Sequence, residues 1–183
     1  MSRMAIGRFG QGALLCGATI SIVLAALAPS AAAKRPLSVY RIDHVVDGDT
    51  VTLMNGQRVR LVQIDTPEVY FGTECYGRAA SRWTKRMLPP GTRVRLLADP
   101  ATDRVDRYGR LLRYVLRVSD GLNVNLRLVT VGAAAPYFYD GARGMYARVL
   151  DERARHARAL KRGLWGACPR TRYDPYAAVA TRT

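Results

Sequence analysis

Residues 51–68 read "VTLMNGQRVRLVQIDTPE". Two runs of aliphatic and β-branched residues flank Asn55-Gly56, the strongest short-range hairpin signal. The outgoing strand is "TVTLM" (50–54) and the returning one "RVRLVQI" (58–64). Thr66-Pro67 ends the return, because proline brings no N–H to a ladder and pushes the residue before it toward extended geometry. With a two-residue loop, Met54 would face Gln57 and Asp49 would face Val62. Asp65 then lies three residues further on, roughly 10 Å at strand rise. One end of the hairpin thus gathers Asp47, Asp49, Asp65 and Glu68. Like charges so close are costly unless they are solvated or share a cation. Oxygen donors without a neighbouring His or Cys suit a hard ion, calcium or magnesium. A wet acidic turn is the plain alternative.

The spacing of Arg60 and Asp65 makes a structural demand. They are five residues apart, so an unbroken strand would place them on opposite faces. Facing one site requires a bulge, a bend or an early strand end between them.

Upstream, "SVYRIDHVV" (38–46) reads as a strand and "DGDT" (47–50) as a turn. Downstream, "YGRAASRWTKRML" (76–88) has helical spacing and stops at Pro89-Pro90-Gly91. "RVRLLA" (93–98) and "RLLRYVLRV" (110–118) read as strands around the charged loop "DPATDRVDRYG" (99–109). "NLRLVTVG" (125–132) reads as a short helix, and "APYFY" (135–139) as a short aromatic segment. Residues 145–164 form the clearest helix, with Tyr146, Val149, Leu150, Ala154, Ala157, Leu160 and Leu164 on one face and arginines elsewhere, closed by Gly163. The fold class expected is mainly β with packed helices: about five strands in a small barrel plus about three α-helices, for which an oligonucleotide-binding (OB) barrel is one solution that strand count alone does not select.

The beginning of the chain looks like a signal peptide. Arg3 and Arg8 precede the apolar run "ALLCGATISIVLAALA", and "PSAAA" offers small residues at Ala31 and Ala33. Segment 1–33 is read as a signal peptide cut after Ala33, with an uncleaved anchor as the alternative. A single domain, residues 37–168, follows, and 169–183 is expected to be a flexible tail. The whole chain carries 29 basic and 14 acidic residues; without Arg3 and Arg8 the count is 27 against 14, a balance of +13. So basic a surface attracts polyanions, nucleic acid or an acidic membrane. Discounting Cys16, Cys75 and Cys168 form an even pair with one connectivity, expected to be a disulfide in an oxidising compartment, two separate thiols being the alternative. His44 and His156 lie far from both cysteines in sequence and read as surface or packing residues.

"VDGDTVTL", "RVRLVQIDTPE", "CYGRAAS", "DRYGRLLRYV" and "RGLW" occur in one order over Val39 to Trp165. In this the chain resembles staphylococcal nuclease and its thermonuclease relatives. The resemblance implies an OB-fold nuclease that hydrolyses DNA and RNA with calcium (Ca2+), leaving a 5′-hydroxyl and a 3′-phosphate. It implies calcium on the Asp49 and Asp65 carboxylates and the Thr66 carbonyl, with Glu68 as general base. It implies that Arg60 and Arg110 hold the phosphate, a clamp also readable from two guanidinium groups beside a metal. Arg107 and Tyr108 match a basic-aromatic pair near the terminal phosphate, and Tyr137 and Tyr139 two tyrosines near the nucleotide. Arg78-Ala79 replaces a Pro-Glu common in relatives, Leu97 stands where a family glutamate sits, and the loop after Glu68 is short. The expectation is an exported monomer, periplasmic or extracellular, acting on DNA and RNA with single strands preferred, and without stable membrane association after cleavage. The alternatives are a non-catalytic OB module that binds nucleic acid and a basic surface protein of the envelope.

Overall fold

The structure is a computed structural model that describes residues 38–70 and 72–181. The segment read as a signal peptide, with its cut after Ala33, lies outside the described residues. Among the described residues no helix is long and apolar enough to cross a membrane.

Five strands close a barrel in the order β1-β2-β3-β6-β5: β1 (Val39–Val45), β2 (Thr50–Leu53), β3 (Arg58–Leu61), β5 (Arg93–Leu97) and β6 (Leu111–Arg117). β1 pairs β5 through Val39, Tyr40 and Arg41 and β2 from Ile42 onward, with an irregularity in the β2 pairing between Ile42 and His44. All neighbours are antiparallel except β3 and β6, which run parallel with Arg60 opposite Leu112. Alternation along the strands points Ile42, Val51, Leu53, Val59, Leu61, Val94 and Val115 inward, all essentially inaccessible. Each such side chain contributes roughly 1.5–3 kcal/mol by leaving water. The five-stranded barrel with packed helices is the architecture expected.

The hairpin loop differs from the expected two residues. Leu53 pairs Gln57 through Leu53 N–H to the Gln57 carbonyl at 2.9 Å, and the Gly56 N–H returns to the Leu53 carbonyl at 2.9 Å. Gly56 has φ 81°, so the loop is Met54-Asn55-Gly56, a three-residue turn closed by a left-handed glycine. The register therefore sets Thr50 opposite Arg60, and the Leu61 N–H bonds the Asp49 carbonyl at 2.8 Å.

The break between Arg60 and Asp65 is present. β3 stops at Leu61, Gln63 takes φ 61°, and the chain resumes as the two-residue β4 (Ile64–Asp65), paired with β7 (Ala135–Pro136). A left-handed glutamine is unusual and needs support from its surroundings. Its neighbours provide it: Asn125 Nδ2 donates to the Val62 carbonyl (2.9 Å), Tyr114 Oη to Gln63 Oε1 (2.9 Å), and Gln63 Nε2 to the Ala142 carbonyl (2.8 Å).

Helix α1 (Gly77–Met87) buries Ala80, Thr84 and Met87, and α2 (Val124–Thr130) is capped by Asn123 Oδ1 on the Leu126 N–H. Helix α3 (Ala147–Ala159) buries Leu150, Ala154 and Ala157 and ends earlier than its periodicity implied. Lys161 turns left-handed, Gly163 packs against the Gly132 backbone, and a separate short α4 (Leu164–Ala167) follows. Leu160, expected on the buried face, is half exposed as a result.

Cys75 and Cys168 are bonded as a disulfide. Residues 169–181, within the segment expected as a flexible tail, lie against the body. Tyr173 Oη donates to Asp151 at 2.5 Å, the Phe138 N–H bonds the Pro175 carbonyl at 2.7 Å, and Val179 and Thr181 are buried. Lack of periodicity ruled out a helix or strand there, but irregular backbone can still pack and bond.

Candidate active site

The "DGDT" turn aims the first carboxylate. Asp47 Oδ1 accepts the N–H groups of Asp49 (3.0 Å) and Thr50 (2.7 Å), an Asx turn that fixes the backbone under Asp49. Asp49 Oδ2 then accepts both the N–H and the hydroxyl of Thr66, each at 2.9 Å. This join needs Gly48, since a Cβ there would stand 2.4 Å from the Thr66 hydroxyl oxygen.

Arg60 reaches from β3 between two carboxylates. Its Nη2 bonds Asp65 Oδ1 at 2.5 Å, and its Nη1 meets Asp49 Oδ1 in an ion pair that lacks hydrogen-bond geometry. The other Asp65 oxygen, Oδ2, accepts the backbone N–H of Val179 at 2.8 Å. Asp47, Asp49 and Asp65 thus surround one guanidinium, leaving excess negative charge in a closed corner. Burial, opposed by Arg60 and reinforced by Asp49, pushes the Asp65 carboxyl up to about 6. Burial and then Asp49 raise Asp47 to about 6. Burial would lower the Arg60 guanidinium, but Asp49 and Asp65 outweigh it and hold Arg60 above its ordinary value.

This corner fits a hard cation. The two Oδ1 atoms converge on one positive partner, the negative charge exceeds the positive, and all side-chain donors are oxygen. Among the described residues no cluster of three or more His, Cys, Asp or Glu has metal-ligand spacing.

On the other side of Arg60 opens a pocket of about 720 Å³, lined among others by Arg107, Tyr108, Arg110, Tyr137 and Tyr139. Arg110 Nε donates to Asp106 Oδ2 at 2.6 Å, while Asp106 Oδ1 accepts the N–H groups of Tyr108 and Arg110. Burial works against it, but the Arg110 amide and guanidinium hold the Asp106 carboxyl below its ordinary value. The guanidinium carbons of Arg107 and Arg110 lie 4.9 and 5.3 Å from the Tyr108 ring centroid. Tyr137 and Tyr139 meet edge to face at 6.2 Å. Burial and then the charge of Asp65 raise the Tyr137 phenol above its ordinary value.

Glu68 stands apart from both groups. It is exposed, beyond Pro67, and its backbone is tied by Glu74: the Glu68 N–H donates to Glu74 Oε2 (3.0 Å) and the Glu74 N–H to the Glu68 carbonyl (2.9 Å). Gly77 lets this loop close, because a Cβ there would lie 2.4 Å from the Glu68 carbonyl oxygen.

The structure therefore gathers Asp49, Asp65, Thr66 and Arg60 into one network, and Arg60, Arg107, Tyr108, Arg110, Tyr137 and Tyr139 around one pocket. The sequence reading missed Asp106, Glu74 and Val179. Asp106 has a local signal, an aspartate two and four residues before the amides it caps. Glu74 and Val179 have none.

A family model described as Staphylococcal nuclease homologue matches residues 58–167. The chain is 35% identical over 132 residues to the Thermonuclease of Staphylococcus intermedius, covering 69% of this chain and 75% of that protein. It is 37% identical over 128 residues to an Uncharacterized endonuclease of Escherichia coli O157:H7, covering 68% and 75%. Against Endonuclease YhcR of Bacillus subtilis (strain 168) the identity is 37% over 109 residues, 53% of this chain but only 9% of that much longer protein. Matched by that family model over more than half its length, this chain belongs to the staphylococcal nuclease family and is an enzyme of the nuclease class.

Proposed function

We propose that the chain is an exported, calcium-dependent endonuclease that hydrolyses phosphodiester bonds of DNA and RNA, acts as a monomer and prefers single strands. The observation that carries this reading is Arg60, shared between a buried pair of carboxylates and a pocket holding two further arginines and three tyrosines.

Asp49, Asp65 and the Thr66 carbonyl would hold calcium, which supplies positive charge to polarise a phosphate oxygen. Glu68, held at its backbone by Glu74, takes a proton from the attacking water. The water oxygen bonds phosphorus, the bond to the 5′ oxygen breaks, and the departing 5′ oxygen takes a proton from solvent water, leaving a 3′-phosphate and a 5′-hydroxyl. Arg60 and Arg110 donate to the phosphate oxygens as their charge grows. Tyr108, Tyr137 and Tyr139 offer faces on which bases stack regardless of sequence. Cleavage of single-stranded DNA by the purified chain, with calcium and then with a chelator, tests the proposal. Chelator-sensitive cleavage supports it, whereas binding without cleavage would return the chain to the non-catalytic class.

A further inference from the structure

The chain beyond residue 167 lies outside the family match, yet it touches the carboxylate corner. It begins at Cys168, covalently joined to Cys75, and the Thr181 hydroxyl donates to the Cys75 carbonyl at 2.6 Å. The segment thus starts and finishes on the same residue. Between these ends Tyr173 packs beside Trp165, with ring centroids 5.9 Å apart, and Tyr176 packs beside Phe138. Val179 is buried among Ala135, Ala157, Leu164, Trp165 and Cys168. That packing delivers the Val179 N–H to Asp65 Oδ2.

The two carboxylates are held by one scheme. Asp49 Oδ2 is fixed by the Thr66 amide and Asp65 Oδ2 by the Val179 amide, so each leaves Oδ1 facing the common positive partner. Donors behind a ligating carboxylate set its orientation and its affinity for a metal. From this we infer that the C-terminal segment is a strap belonging to the active site, and that the Val179 N–H is a positioning group that presents Asp65 to the cation. The inference rests on reading Asp49 and Asp65 as the calcium ligands.

The test uses calcium alone, titrated calorimetrically into the purified chain and its variants. Val179→Pro removes the N–H and Val179→Ala keeps it. A chain ending at Tyr173 keeps the Trp165 and Asp151 contacts and loses the rest, guarding against a proline that disturbs packing. Val179→Ala should stay within about twofold of the unaltered chain, while Val179→Pro and the shortened chain should need about tenfold more calcium for half-saturation. Calcium-dependent cleavage should show the same displacement in its calcium midpoint, with the rate at saturating calcium less affected. A strap that only adds stability would lower the melting temperature and leave half-saturation unmoved, and that result overturns the inference. If the unaltered chain binds no calcium, or Asp49→Asn leaves binding unchanged, the cation site itself is refuted.

Discussion

The carboxylate corner and the arginine–tyrosine pocket share Arg60 and otherwise follow different plans. In the corner the side chains of Arg60, Asp49 and Asp65 are 16%, 7% and 12% exposed. In the pocket Tyr108 and Tyr139 are 67% and 62% exposed, Tyr108 on a turn and Tyr139 at the start of a short 3-10 helix. The corner is held from behind by backbone amides, whereas the pocket presents open rings and guanidinium groups. Buried, braced charges suit a reaction that needs fixed positions. Exposed aromatic and basic groups suit a polymer held without regard to sequence.

The largest test bears on Glu68, which belongs to neither region by contact. Glu68→Gln should lose about 10²–10⁴-fold in rate while DNA binding persists. Full activity in that variant would remove Glu68 as the base and throw the chemistry back on the corner. Next comes the comparison of the two arginines by urea unfolding. Arg60→Ala leaves buried carboxylates uncompensated and should cost about 3–5 kcal/mol. Arg110→Ala breaks one more exposed pair and should cost about 1 kcal/mol or less. Equal losses would erase the distinction between corner and pocket. Tyr108→Ala should weaken single-stranded DNA binding by about 1–3 kcal/mol and leave calcium binding alone. A shift in calcium midpoint would show that the two regions are coupled.

A pH dependence probes the corner alone. Asp47 and Asp65 have folded values of about 6 against an ordinary 3.8, so the folded state binds more protons between those limits. Without calcium, their contribution to stability is full below about 4 and is lost as pH rises to about 6. Unfolding midpoints measured across that window in chelator should fall with rising pH. Asp49→Asn, which removes the repulsion, should flatten the slope.

The corner was largely legible in the sequence because its signals are local. Asp47 and Asp49 sit in one turn, Asp65 and Glu68 flank one proline, and the odd spacing from Arg60 to Asp65 demanded the break that Gln63 provides. The manner of the break was not legible, since a left-handed glutamine depends on Asn125, Tyr114 and Ala142, all far along the chain. The hairpin register slipped by one residue because Asn-Gly serves two- and three-residue turns alike. The packed C-terminal segment escaped notice for another reason. Its key donor is a backbone amide, which any residue except proline carries, so its side chains could not announce it.

The brace on Asp49 comes from 17 residues away and the brace on Asp65 from 114. A ribosome releases the N-terminal part first, so both acidic ligands emerge long before Val179 does. β3 likewise waits for β6 before its parallel edge is covered. Contacts this distant in sequence form late in folding. The support behind Asp65 therefore closes only after a residue 114 positions along the chain has packed, whereas the support behind Asp49 needs only its near neighbour Thr66.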